Sequence, residues 1–304
     1  MDRSSNYYKQ VQLLMQVLPF VSQHECFALK GGTAINLFVR DLPRLSIDID
    51  LVYLPMKSRT EALVDIRTAL DKISDTLISN LAETEVSKSY KQKEDALRLV
   101  IARKGVQIKI ELSPVLRGTV FKPKVMTVCE AVEDEFGFAE VAVVTLPDLY
   151  AGKICAALDR QHPRDLFDVK WLLENEGLTD DIRKALLVYI ASHNRPMAEL
   201  LQPKLKDISA IYEGEFANMA EKDIPLEELL NVRTKLIKLL HEDLTTDEKT
   251  FLLSFKNKQP NWNLLGLNSV SELPAIKWKQ TNLANMPDKK HTAAYQKLAE
   301  VLGN

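Results

Sequence analysis

Asp48 and Asp50 stand one residue apart in a run where Leu45, Ile47, Ile49 and Leu51 alternate with Ser46, Asp48 and Asp50. That alternation is the signature of a half-buried strand over residues 45–51, apolar on one face and acidic on the other. Carboxylates two positions apart point the same way, with Cα atoms about 6.5–7 Å apart by strand geometry. Acids so placed can flank divalent cations, which in two-metal sites lie about 3.5–4 Å from each other. Mg²⁺ takes oxygen ligands, usually one or two carboxylates, and completes its shell with water and substrate phosphates. Upstream, Gly31-Gly32-Thr33 follows a strand-like run at 27–30. Two glycines let a backbone come close to a ligand, and a helix opening at Thr33 would turn N–H groups and a hydroxyl toward a triphosphate. Gly-Gly-Thr and D-x-D are each weak signals. The order of strand, Gly-Gly-Thr, short helix and D-x-D strand is far more specific.

The elements that must hold these residues are legible as periodicity. Residues 8–23 have helical spacing, 33–39 can form a short helix ended by Pro43, and 58–81 form a long amphipathic helix. Strands are expected at 96–103 and 106–112, turning at Lys104-Gly105, and at 139–145. On the second of these, Gln107, Lys109 and Glu111 share the polar face. Beyond Pro147 strand signals cease, and helices are expected at 146–159, 163–174, 180–192, 226–241, 249–255, 277–283 and 290–302. Thr245 to Glu248 reads as the capped start of the fifth of these. The expected fold is therefore α+β: residues 1–145 form a mixed sheet with flanking helices, and residues 146–304 form a mostly helical domain.

Composition narrows the classes. Of 304 residues, 46% are hydrophobic and 27% charged, as in a soluble globular protein. No apolar run approaches the roughly 20 residues a bilayer requires, and Gln12, Gln16 and Gln23 break up the first helix where a signal peptide would be apolar. Cys26, Cys129 and Cys155 lie far apart and form no disulfide framework or zinc motif, which fits a reducing cytoplasm. The five histidines have no metal-ligand spacing. Net charge is −2, yet residues 88–124 carry ten Lys/Arg against three acids, a basic segment that suits a polyanion or simply a solvated face. Trp171, Trp262 and Trp278 fit core anchors better than base-stacking platforms.

Several motifs taken together resemble one family. Lys30-Gly31-Gly32-Thr33-Ala34 with Arg44-x-Ser46-x-Asp48-x-Asp50 is similar to the signature of the AbiEii/AbiGii nucleotidyltransferase-like toxins. These are toxin halves of bacterial toxin–antitoxin and abortive-infection systems, with a polymerase-β-like core. Lys153 followed by Arg164-Asp165-x-x-Asp168 resembles later family elements. So do the stretches around Phe251–Phe255, Pro260-Asn261-Trp262 and Leu273–Lys279. One departure is visible: the wider superfamily has Gly-Ser where this chain has Gly32-Thr33, and a hydroxyl is retained.

The resemblance implies roles. Asp48 and Asp50 would bind Mg²⁺ or Mn²⁺ and orient an NTP for attack at its α-phosphorus. Glu111 would be a third metal carboxylate or accept the proton of the attacking hydroxyl; its alternative is an ion pair with Lys109 or another base. Gly31, Gly32, Thr33 and Ser46 would line the nucleotide. Lys153 would contact phosphate as a point charge, where an ordinary helical lysine would be solvated. Asp165 and Asp168 would position Lys153 or the nucleotide, against the alternatives of a helix cap and an Arg164–Asp168 pair. The implied activity is transfer of a nucleoside monophosphate to a hydroxyl, at the 3′ end of tRNA or other RNA, by a cytoplasmic toxin silenced by an antitoxin. The helical domain would complete the nucleotide site or bind acceptor or antitoxin. A protein or small-molecule acceptor, and a non-catalytic nucleotide binder, are the competing readings.

Overall fold

The computed structural model describes residues 3–217, 219–267 and 269–303. It divides into two compact units: Met1–Thr145 with Asn218–Asp223, and Leu146–Ala217 with Ile224–Asn304.

The first unit is an α+β core built on a seven-stranded mixed sheet. Its strands are β1 (Phe27–Lys30), β2 (Asp48–Tyr53), β3 (Thr84–Lys88), β4 (Arg98–Arg103), β5 (Val106–Leu112), β6 (Lys124–Thr127) and β7 (Glu140–Val143). They lie in the order β3-β4-β5-β2-β1-β7-β6. β2 pairs parallel with β5 and antiparallel with β1, while β1 pairs parallel with β7. Register then sorts side chains into rows. Ile49, Ile110 and Leu99 form one row and are buried. The neighbouring row across β1, β2, β5 and β4 reads Lys30, Asp50, Glu111, Arg98. Two carboxylates thus sit side by side with a cation at each end. Helices α1 (Asn6–Ser22) and α3 (Arg59–Asn80) bury apolar stripes against the sheet and each other. α3 begins at a capping box in which Ser58 and Glu61 satisfy each other's backbone N–H groups.

Two strands and a short helix, α4 (Glu130–Phe136), have no counterpart in the periodicity. β3 and β6 are the edge strands, and each pairs on one side only. An edge needs little apolar content, and Val125 of β6 is 67% exposed. β2 also starts later than the alternation suggests. Residues 43–45 pair instead with a segment returning from the helical half: the Leu45 N–H donates to the Met219 carbonyl (3.1 Å), and the Glu221 N–H to that of Pro43 (2.9 Å).

The second unit is helical throughout: α5 (Leu146–Asp159), α6 (Pro163–Asn175), α7 (Asp180–Ser192), α8 (Met197–Leu201), α9 (Ser209–Glu215), α10 (Leu226–Glu242), α11 (Thr246–Lys256), α12 (Pro274–Ala284) and α13 (Asp288–Leu302). α11 opens with the expected capping box between Thr245 and Glu248. α8 and α9 are too short to show a period. Trp262 packs on Phe251 and Phe255, whereas Trp278 is 55% exposed and anchors no core, contrary to the sequence reading.

Candidate functional site

The catalytic candidates fall into two groups, one in each unit. In the first, Gly31-Gly32-Thr33 opens α2 (Gly31–Ala34), which widens into a π-turn over Ile35–Val39 directly after β1. Gly31 has φ +76°, and a Cβ there would stand 2.5 Å from Asp50 Oδ2. A Cβ on Gly32 would meet the Arg44 guanidinium at 2.7 Å and Ser46 Oγ at 3.0 Å. The glycines are therefore required by the chain's own side chains: Asp50, Arg44 and Ser46 occupy the space that larger residues would take.

Thr33 acts inward too. It is fully buried, and its hydroxyl donates to the Asp48 carbonyl (2.5 Å) and lies 3.0 Å from Ser46 Oγ. The sequence reading turned this hydroxyl toward a triphosphate; instead it pins the start of β2 and so the backbone that carries both aspartates. Ser46, also buried, is part of that pin.

Arg44 has no role in the sequence reading beyond its place in the motif. It is buried, its Nη1 donates to the Leu45 carbonyl (2.9 Å), and its Nη2 is the atom nearest an added Cβ at Gly32. Its buried guanidinium thus lies against Gly32 of the Gly-Gly turn, next in the chain to the glycine that Asp50 fits.

Asp48 and Asp50 lie on the same face of β2, both partly exposed. Glu111 is the register partner of Asp50 on β5, and its carboxylate forms an ion pair with Arg98, not with Lys109. The oxygen-only donors suit a hard divalent cation, and two carboxylates meet what Mg²⁺ asks of a protein. Among the described residues, no three His, Cys, Asp or Glu side chains converge as a ready ligand set. A third carboxylate ligand requires Glu111 to leave Arg98.

In the second unit, Lys153 of α5 is 7% exposed, with its ammonium 2.9 Å from Asp165 Oδ1 and 3.0 Å from Asp168 Oδ2 on α6. Arg160 grips Asp165 in a fork, at 2.5 Å through Nε and 2.8 Å through Nη2. Burial alone would raise the pKa of Asp165, but the charges of Lys153 and Arg160 hold it well below the usual carboxylate range. The helix-cap alternative fails, because His162 is the N-cap of α6. The Arg164–Asp168 alternative fails as well: Asp168 turns to Lys153, and Arg164 lies 3.7 Å from Glu215.

The basic segment is less free than its charge count. Lys88 pairs with Asp71 and Asp75, Arg98 with Glu111, and Arg117 donates to the Lys57 and Ser58 carbonyls. No described helix is long and apolar enough to cross a membrane.

Residues 12–278 match the family described as "Nucleotidyl transferase AbiEii toxin, Type IV TA system". Among solved structures, the chain is similar to MenT4, a nucleotidyltransferase toxin from Mycobacterium tuberculosis H37Rv. The TM-score is 0.62 at 13% identity, over 93% of this chain and 95% of that one. At that identity the likeness speaks to the fold. No curated protein sequence matches significantly.

Proposed function

We propose that this chain, which belongs to the AbiEii family of nucleotidyl transferase toxins, moves a nucleoside monophosphate from an NTP to the 3′ hydroxyl of an RNA, tRNA foremost. The observation that carries the reading is the pair Asp48 and Asp50 on one face of β2, with Gly31 shaped to receive Asp50. These carboxylates hold Mg²⁺ or Mn²⁺, which when bound offsets phosphate charge and favours in-line displacement. Thr33 and Ser46 keep the carboxylates' backbone in place. Arg44 supports the Gly-Gly turn from its Gly32 side. Glu111 accepts the proton of the attacking hydroxyl or joins the metal ligands once Arg98 releases it. In the second unit, the Lys153 ammonium is fixed by Asp165 and Asp168.

Lys104, Lys109, Lys122 and Lys124 support an RNA acceptor, since a polyanion is drawn to local positive charge. An antitoxin partner follows from the family. The test is incubation with Mg²⁺, total RNA and each α-labelled NTP in turn. Label in tRNA is the expected result. Label in protein transfers the reading to polypeptide nucleotidylation, and NTP binding with no label in any fraction contradicts the enzymatic reading.

A further inference from the structure

The β4–β5 hairpin carries four cations, and two of them are engaged. Arg98 pairs with Glu111, and Arg103 donates to the Ala82 carbonyl and to Gln16. Lys104 and Lys109 make no hydrogen bond or ion pair through their side chains among the described residues. Their places are fixed all the same. Lys109, half-buried, is the register partner of Asp48 on β2 and of Val100 on β4, and it shares its face with Glu111 two residues on. Lys104 and Gly105 form the two-residue turn between the paired ends Arg103 and Val106, with φ +48° and +79°. Positive φ at both positions suits a type I′ turn, whose twist matches the strands it joins, so the exposed Lys104 stands at a defined tip.

The polar face of β5 thus reads Glu111, Lys109 and Gln107, with Lys104 at the tip. Its one acid is answered by Arg98, and positive charge follows. On the β4 side the neighbours of Lys109 and Gln107 are Val100 and Ala102, which offer no carboxylate. On the β2 side Lys109 borders Asp48, which the transferase reading gives to the metal. Spacing lends the face a direction. In a nucleic acid strand the terminal 3′ hydroxyl is one sugar away from the last phosphodiester. Alternate residues of a β-strand are about 6.5–7 Å apart, a reach of the same order. A hydroxyl at Glu111 therefore brings that phosphodiester to Lys109. Lys104 lies about 15 Å farther along the hairpin, within reach of a linkage upstream. Such phosphate contacts carry no sequence information, but they fix the register of a bound strand.

We infer that the polar face of β5 is the acceptor track. Lys109 holds the last phosphodiester of a single-stranded RNA 3′ end, Lys104 holds a linkage upstream, and the RNA enters over the hairpin tip. The track rests on the RNA-acceptor reading and adds to it the path and polarity of the strand. It is tested by binding without turnover, so its failure and that of the transferase are distinguishable.

The experiment follows binding of a short single-stranded RNA to the full chain by fluorescence anisotropy, with no NTP present. Oligonucleotides carry a neutral methylphosphonate at the last linkage or, in turn, at each linkage upstream. For wild type, neutralising the last linkage should weaken binding roughly tenfold, the loss of one charge-assisted contact. Lys109→Met should lose a similar factor on unmodified RNA and be indifferent to the last-linkage methylphosphonate, while still responding to one upstream. Lys104→Met should show the reverse. Each variant should also reduce the slope of log affinity against log salt by about 0.7. Lys238→Met, which alters an exposed lysine on α10, should follow wild type throughout. A Lys109→Met chain as sensitive to the last linkage as wild type overturns the proposal. So does a wild type that binds no RNA or ignores that substitution. The crossed pattern without label transferred to RNA keeps the track and removes the transferase reading; label in RNA without the pattern does the opposite.

Discussion

Gly31 and Asp50 are complementary: the carboxylate of Asp50 fills the space where a Cβ on Gly31 would stand, 2.5 Å from Oδ2. The glycine and the acid come from different elements, α2 and β2, so the fit couples the Gly-Gly turn to the D-x-D strand. Gly31→Ala must both strain a backbone at φ +76° and push Asp50 away. The strain costs about 1–3 kcal/mol, and a displacement of about 1 Å costs on the order of 10²-fold in rate. Denaturant melts and transfer assays on this variant should show a folded chain with activity reduced at least that far. Full activity in Gly31→Ala would mean that Asp50 need not sit where it does.

Glu111 and Arg98 separate two roles for the third carboxylate. Their ion pair is partly exposed, with side chains 33% and 49% accessible, so removing either should change stability by no more than about 1 kcal/mol. Metal binding should respond with opposite signs. Glu111→Gln should weaken Mn²⁺ binding measured by calorimetry, and Arg98→Gln should strengthen it by freeing the carboxylate. Unchanged Mn²⁺ affinity in both variants would reduce Glu111 to a surface ion-pair partner.

Lys153 is a different case, because its partners are buried. Lys153→Met removes the Lys153 ammonium from both Asp165 and Asp168, and breaking such a buried pair costs about 3–5 kcal/mol. Lys153→Met combined with Asp168→Asn should be less destabilised than the sum of the single changes, as a double-mutant cycle in urea would show. Strict additivity would contradict the network.

Lys279 predicts a pH slope. Burial and then Lys256 bring its pKa from 10.5 to about 8 in the folded chain. Between those values the unfolded chain binds more protons, so stability gained from this group rises with pH across the interval. Below about 8 the penalty is fully present. Lys279→Met removes the slope, and comparing its denaturation with wild type across that interval checks the sign.

What could be read in the sequence follows the strength of each local signal. The D-x-D strand showed itself because Ile49 and Leu51 must be buried while Asp48 and Asp50 must not. The start of α11 showed itself because Thr245 and Glu248 cap each other. β3 and β6 did not, since an edge strand needs only one paired side. The Met219–Glu221 return could not be seen either, because its backbone hydrogen bonds to Pro43 and Leu45 carry no side-chain pattern. Thr33 was recognised as part of the site but given the wrong direction. A buried threonine bonding to the backbone of the next strand looks the same in sequence as one facing a ligand.

The most direct test of the central claim is single-turnover transfer from an α-labelled NTP by wild type and Asp50→Asn, after circular dichroism and NTP binding show the variant folded and loaded. Loss of transfer by at least about 10²–10³-fold, with binding retained, is the predicted result. Transfer at the wild-type rate would contradict the assignment of Asp48 and Asp50 as the reacting centre.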